Sequence, residues 1–355
     1  MKIEEKSFFN KITEALKDEQ PFTAYNHPNS LEINGYFQKG NDLYYSTKFT
    51  DSGFIFAPFD DANKSILFPL RKSETFTTVI NDISLSNAKS KYEFTLKSKN
   101  KRATHLELVR KGVQFLEVTG TKKVVLSRKE EIYFEHFNVL ETFKKLLINY
   151  TKAMVYLWYH PKIGLWLGAT PETLIKVENN KFSTMALAGT QSYDGSLDVF
   201  WANKEKQEQQ FVTDFLINEL SNTSIIMDVS KPLTVKAGNL VHLCTKIKGS
   251  LSQQFSLYEL IKLLHPTPAV CGLPKAEAKS FILENEGYDR EFYTGFFGEL
   301  NVNNTSSLFV NLRCMQVLKN QLTLYIGGGI TIDSIPEKEW EETLAKSEVM
   351  LKVLA

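Results

Sequence analysis

The sequence predicts an α+β protein in which antiparallel sheets are covered by helices. Short runs rich in Val, Ile, Phe, Tyr and Thr, such as "GFIFAPF", "SILFPL" and "MVYLWYH", come in blocks. Helical segments fall between the blocks rather than after each strand, as a βαβ series would require. One long run, "TLIKVENNKFSTMAL", carries Asn179-Asn180 at its centre and so folds back on itself as a hairpin.

In chain order, residues 5–18 read as a helix and 30–130 as short strands and turns: "LEINGYF", "DLYYSTKF", "GFIFAPF", "SILFPL", "VQFLEVTG" and "KKVVLSR". Residues 136–153 are helical in pattern. Strands resume at "MVYLWYH", "LWLGAT" and the hairpin, with "LTVKAG" and "HLCTKIKG" after a helix from Lys204 to Leu220. In "LHPTPAVCGLPKAEAKSFILENE" three prolines fix φ and keep the residues before them out of the helical region, so "HPTPAVCGLP" is an ordered loop. Pro274 suits the first position of the helix that follows. "LFVNLRCMQVL" and "QLTLYIGGG" read as strands, and a helix runs from Pro336 to Leu354.

The chain of 355 residues is 43% hydrophobic with 25 Phe, enough apolar material for a large core. Its 42 basic and 41 acidic residues are intermixed, for a net charge of +1, which leaves no electrostatic footprint for nucleic acid or an anionic membrane. Cys244, Cys271 and Cys314 are odd in number and far apart, with no metal or disulfide spacing, and a reducing cytoplasm fits them. "MKIEEKSFFNKITEALKDEQ" carries acids and no long apolar run, unlike a secretion signal or membrane span.

Several short motifs bear chemistry. In "KKVVLSRK" a strand sets Lys123, Val125 and Ser127 on one face; Lys123 either ends the strand at the surface or is a buried amine with its pKa lowered to serve as a base. "GATPETL" fixes Glu172 after Pro171, a defined place for a proton donor, though such a residue is often a turn carboxylate. On the helix "NKEKQEQQFVTDFL", Glu208 is in line with Val212 and Phe215; on the last helix Glu342 precedes Lys346 by four and is in line with Val353. Glu342 and Lys346 can be a solvated pair. Two carboxylates leaning toward the apolar side nevertheless call for neutralisation, which a shared divalent cation supplies, and without His or Cys companions that cation is Mg²⁺ rather than zinc. Gly327, Gly328 and Gly329 let backbone N–H groups approach an anion, or mark a bulge. Arg313, if inward, clamps a carboxylate.

Taken in order, "KVVLSR", "GATPE", "LAGT", "KEKQEQQ", "HPTPAVCGLP", "EGYDREFYTGFFG", "VNLR", "YIGGGI" and "EWEET" resemble the chorismate-utilising enzymes, and among them the isochorismate synthases. The resemblance runs from about Lys122 to Lys346. It implies one α+β domain over 1–355, with a variable part at 1–115 and a motif-bearing catalytic part at 116–355. Two large antiparallel sheets would pack face to face, helices outside, with the site in the cleft between the halves and "HPTPAVCGLP" as a rigid loop beside it.

The resemblance also implies an isomerase of the hydroxymutase type, a cytoplasmic monomer taking chorismate as its small-molecule substrate, with no nucleic-acid or membrane partner. Lys123 matches the lysine that activates water and Glu172 the acid that protonates the departing hydroxyl. Ala188 stands before Gly189 where aminodeoxychorismate synthases carry a nucleophilic lysine. Glu208 and Glu342 match magnesium ligands, while Gly189, Thr190, His265, Ala269, Arg313, Gly327, Gly328, Gly329 and Lys346 match substrate-binding positions, His265 as support. Gln207, Gln209 and Gln210 depart from the histidines or acids that flank the first metal ligand in relatives. The rivals are salicylate synthase, which shares the first step, and a non-catalytic anion-binding paralogue. Nothing in the sequence chooses between menaquinone and siderophore synthesis as the product's destination.

Overall fold

Apolar patterning decides which strands are central. Met154–His160 is buried at every position but Tyr159, because both of its faces are covered. Val155 and Leu157 join the core beneath the helices Glu5–Lys17, Val139–Asn149 and Pro336–Leu354, while Met154, Tyr156 and Trp158 point into an aromatic layer. The computed structural model describes residues 1–81, 95–96, 101–134, 136–221, 223–237, 240–252 and 255–354.

Two sheets of ten strands each face one another, and the strand pairings among the described residues are antiparallel. The first runs, neighbour to neighbour, Gly272–Leu273, Lys123–Tyr133, Gln321–Ile330, Cys314–Leu318, Gly164–Thr170, Met154–His160, Phe22–Asn26, Glu32–Gln38 and Ser73–Val79, with Thr95–Leu96 beside Lys123–Tyr133. The second runs Ser224–Val229, Leu240–Leu251, Lys181–Ser192, Thr173–Glu178, Thr305–Val310, Phe296–Val302, Gly53–Ala57, Ser65–Pro69 and Tyr44–Ser46, with Leu233–Ala237 beside Leu240–Leu251. Aromatic rings fill the space between: Phe56 of the second sheet stacks on Trp158 of the first at 4.7 Å and on Phe292 at 4.4 Å. Such pairs add about 0.5–1.5 kcal/mol each beyond simple burial. Asn203–Ser221 and Leu257–Leu264 cover the second sheet's other face. The first 81 residues supply strands to both sheets.

Two segments differ from the sequence reading. "VQFLEVTG" belongs to the helix Lys101–Thr119, whose buried His105, Val109, Gly112 and Leu116 recur at helical spacing; its Val and Phe content imitates a strand only locally. "LFVNLRCMQVL" is two strands in different sheets, Thr305–Val310 and Cys314–Leu318, separated by Arg313 at φ +48°. Pro274 caps the helix Lys275–Asn285 from just outside it. In the loop before it, Gly272 at φ +149° lies so close to the neighbouring strand that a Cβ would stand 2.3 Å from the Lys123 carbonyl oxygen. No helix among the described residues is long and apolar enough to cross a membrane.

Candidate active site

Two neighbouring strands leave one sheet and enter the other side by side. Gly164–Thr170 continues through Pro171 and Glu172 into Thr173–Glu178, and Thr305–Val310 continues through Asn311, Leu312 and Arg313 into Cys314–Leu318. Backbone bonds stitch the crossings together: Val310 N–H donates to the Glu172 carbonyl at 3.0 Å, and Ala169 N–H to that of Arg313 at 3.1 Å. Glu172 and Arg313 therefore meet at the seam where the sheets diverge. Glu172, Gly189, Thr190, Glu208, Ala269, Arg313, Gly327, Gly328, Gly329 and Lys346 border one cavity there, of about 110 Å³.

Glu172 is 4% exposed, and burial pushes its carboxyl up to about 8 although the charges of Lys123, Arg313 and Lys346 pull the other way. It is therefore protonated at neutral pH. Lys123 is fully buried, its Nζ 2.8 Å from Glu208 Oε1. Burial pushes Glu208 upward, but the charge and hydrogen bond of Lys123, with Lys346 and Lys204 behind them, hold it below the usual carboxylate range. Gly329 leaves room for this pair: a Cβ there would stand 2.2 Å from Glu208 Oε1 and 2.9 Å from Lys123 Cε.

Glu342 lies 2.7 Å from Lys346 Nζ, which also donates to the Gly327 carbonyl at 2.9 Å. Glu208 and Glu342 each already face a lysine, so the expectation that they lack a counter-charge is corrected. Sequence reasoning also missed Glu339. One turn before Glu342 and 1% exposed, it places Oε1 2.5 Å from Lys204 Nζ while Oε2 is buried without a hydrogen bond. From a Cβ built on Gly328, Glu339 Oε2 would be 3.6 Å and Glu342 Oε1 3.7 Å away. Among the described residues no three acidic, His or Cys side chains gather into a metal cage. The donors are nonetheless carboxylates only, from two helices, with one orphaned oxygen beside them. That set fits a hard cation that keeps several waters, as Mg²⁺ does. Gln209 turns away from this cluster, donating to Thr213 Oγ1 at 2.8 Å and Thr245 Oγ1 at 2.6 Å.

Arg313 donates to the Ala237 carbonyl at 3.0 Å and to His242 Nε2 at 2.6 Å. Because Nε2 accepts, His242 carries its proton on Nδ1, which donates to the Gly189 carbonyl at 3.0 Å. Burial, with Arg313 and Lys346 nearby, pushes the imidazole well below its ordinary pKa, so it is neutral. A strand irregularity between Ala188 and Thr190 brings Gly189 to this position opposite His242. Sequence reasoning passed over His242; its only signal was alternation in "HLCTKIKG", which sets it opposite "LAGT". His265, expected to support the substrate, is not at this cavity. It is buried against Phe296 at 5.0 Å and lines a separate pocket with Asp61 and Lys262, because the loop's prolines turn its side chain toward the second sheet's core.

Two facing antiparallel sheets, with an acid, an arginine and a lysine–glutamate pair converging where strands cross between them, define the class: a family model described as "Chorismate binding enzyme" matches residues 59–355, and the chain belongs to that family. The match begins inside the stretch where no motif was assigned. Isochorismate synthase EntC of Escherichia coli (strain K12) is 34% identical over 199 residues, 54% of this chain and 51% of that protein. The vibriobactin-specific isochorismate synthase of Vibrio cholerae serotype O1 is 31% identical over 248 residues, 66% of this chain and 62% of that one. The chain thus spans about half to three-fifths of these curated relatives. A crystal structure described as a 2,3-dihydroxybenzoate-specific isochorismate synthase, DhbC, from Bacillus anthracis has the same fold, with a TM-score of 0.81 at 24% identity over 98% of this chain and 99% of that one.

Proposed function

We propose that this protein isomerises chorismate to isochorismate. The observation that carries the reading is Glu172, a buried carboxyl raised to about 8 in a cavity it shares with Arg313 and Lys346. Water adds at ring C2, the double bond shifts, and the C4 hydroxyl leaves. Glu172 gives the departing hydroxyl its proton, and Lys123, in its unprotonated form, takes one from the incoming water, so a water enters for each water lost. Arg313 and the Gly327–Gly329 backbone hold the enolpyruvyl carboxylate, and Lys346 attracts the ring carboxylate. His242 keeps the Arg313 guanidinium turned inward. Glu208 and Glu342 would hold Mg²⁺, which when bound neutralises the ring carboxylate.

Kinetics of Lys123→Ala and Glu172→Gln test the assignment. Each variant loses about 10²-fold or more in turnover while chorismate affinity, measured by calorimetry, stays near wild type. An unchanged kcat in either variant removes that residue from the mechanism.

A further inference from the structure

A second cavity, of about 530 Å³, adjoins the first, and Pro171 and Arg313 stand in both walls. Three elements each bring a lysine to it. Lys152 follows the helix Val139–Asn149, Lys236 lies on the strand Leu233–Ala237, and Lys352 lies on the helix Pro336–Leu354. All three are exposed, and Lys236 Nζ rests over the Tyr193 ring at 3.6 Å. Among the described residues no carboxylate lines this basin. Its lining is therefore cationic, and Arg313 is the one cation it shares with the catalytic cavity. Arg313 couples to both compartments: it feels Glu172 on one side and Tyr150, in the basin wall, on the other.

We propose that this basin is a capture vestibule for dicarboxylate anions, whose lysines collect a dianion and deliver it to Arg313 in the common wall. The proposal rests on the reading that the catalytic cavity takes a dicarboxylate. Rim charges of this kind act on the association rate and its salt dependence, whereas contacts to the seated ligand act on dissociation.

Isophthalate, a ring with two carboxylates, is the probe. Its binding is followed by stopped-flow tryptophan emission, to which Trp166 contributes from its stack at 5.3 Å on Tyr325 of the cavity wall. The triple variant Lys152→Gln/Lys236→Gln/Lys352→Gln is compared with wild type and with Lys17→Gln/Lys48→Gln/Lys181→Gln, exposed positions giving the same change in net charge. At about 20 mM ionic strength the vestibule variant associates about tenfold more slowly, with dissociation within about twofold of wild type, and the gap closes in about 0.5 M salt. A vestibule variant that matches the control, a loss confined to dissociation, or no binding of millimolar isophthalate to wild type overturns the proposal. If association depends on the lysines but wild type does not turn over chorismate, the vestibule stands and the proposed reaction fails. Turnover with lysine-independent association gives the reverse.

Discussion

Glu172 binds a proton in the folded protein up to about pH 8, whereas in an unfolded chain it ionises near the ordinary glutamate value of about 4.3. Between those limits the folded state holds more protons than the unfolded one, so this residue's contribution to stability declines as pH rises to about 8 and is level above. Gln cannot ionise. Glu172→Gln therefore melts above wild type, by a margin that widens from pH 5 to pH 8 and reaches roughly 3–5 kcal/mol. Calorimetric melts check this; equal melting at pH 8 would show that the carboxyl ionises freely. The proposed reaction has the opposite demand: its turnover is expected to fall above about pH 8 as Glu172 loses its proton. Strand alternation and a preceding proline marked Lys123 and Glu172 as candidates but left their burial open, and the motif resemblance singled them out. Glu339 and His242 were not legible, since their roles depend on partners from other elements, Lys204 and Arg313.

The loop Leu264–Pro274 is held by the turn that follows the helix Lys275–Asn285. Arg290, 1% exposed, reaches the Val270 carbonyl at 2.9 Å and the Val125 carbonyl at 2.7 Å, and pairs at 2.5 Å with Glu286, whose side chain is buried. Glu286 also accepts from Ser127 N–H at 2.7 Å. One ion pair thus ties the loop to the strand that carries Lys123. Arg290→Met leaves Glu286 buried without its partner and costs about 3–5 kcal/mol in denaturant unfolding, while the double variant with Glu286→Leu recovers much of it. Equal losses in the single and double variants would show that the pair has no such role. Strands with one covered face were readable from their alternation. Phe22–Asn26, buried at all five positions, gave no alternation to read, and the break at Arg313 was hidden because both halves of "LFVNLRCMQVL" are apolar.

At the scale of the molecule, the two sheets and their seam bring residues from Val125 to Met350 around one cavity, with Lys123 paired to Glu208 in its wall. The facing sheets followed from the motif resemblance; the seam itself did not, because a strand changing sheets looks in sequence like one strand continuing. The proposed Mg²⁺ site predicts that exhaustive dialysis against EDTA will abolish activity and Mg²⁺ restore it, and that Glu342→Gln will weaken Mg²⁺ binding with little change in melting. Full activity after dialysis would instead leave Lys123, Lys346 and Lys204 to neutralise these acids. The central claim is the reaction itself. Excess enzyme, Mg²⁺ and chorismate at neutral pH, followed by chromatography with salicylate fluorescence and free pyruvate read in parallel, test it most directly. The account predicts a stable chorismate–isochorismate mixture, the same whichever compound is supplied. Stoichiometric salicylate and pyruvate formed at the enzyme-dependent rate, or chorismate left unchanged, would contradict it.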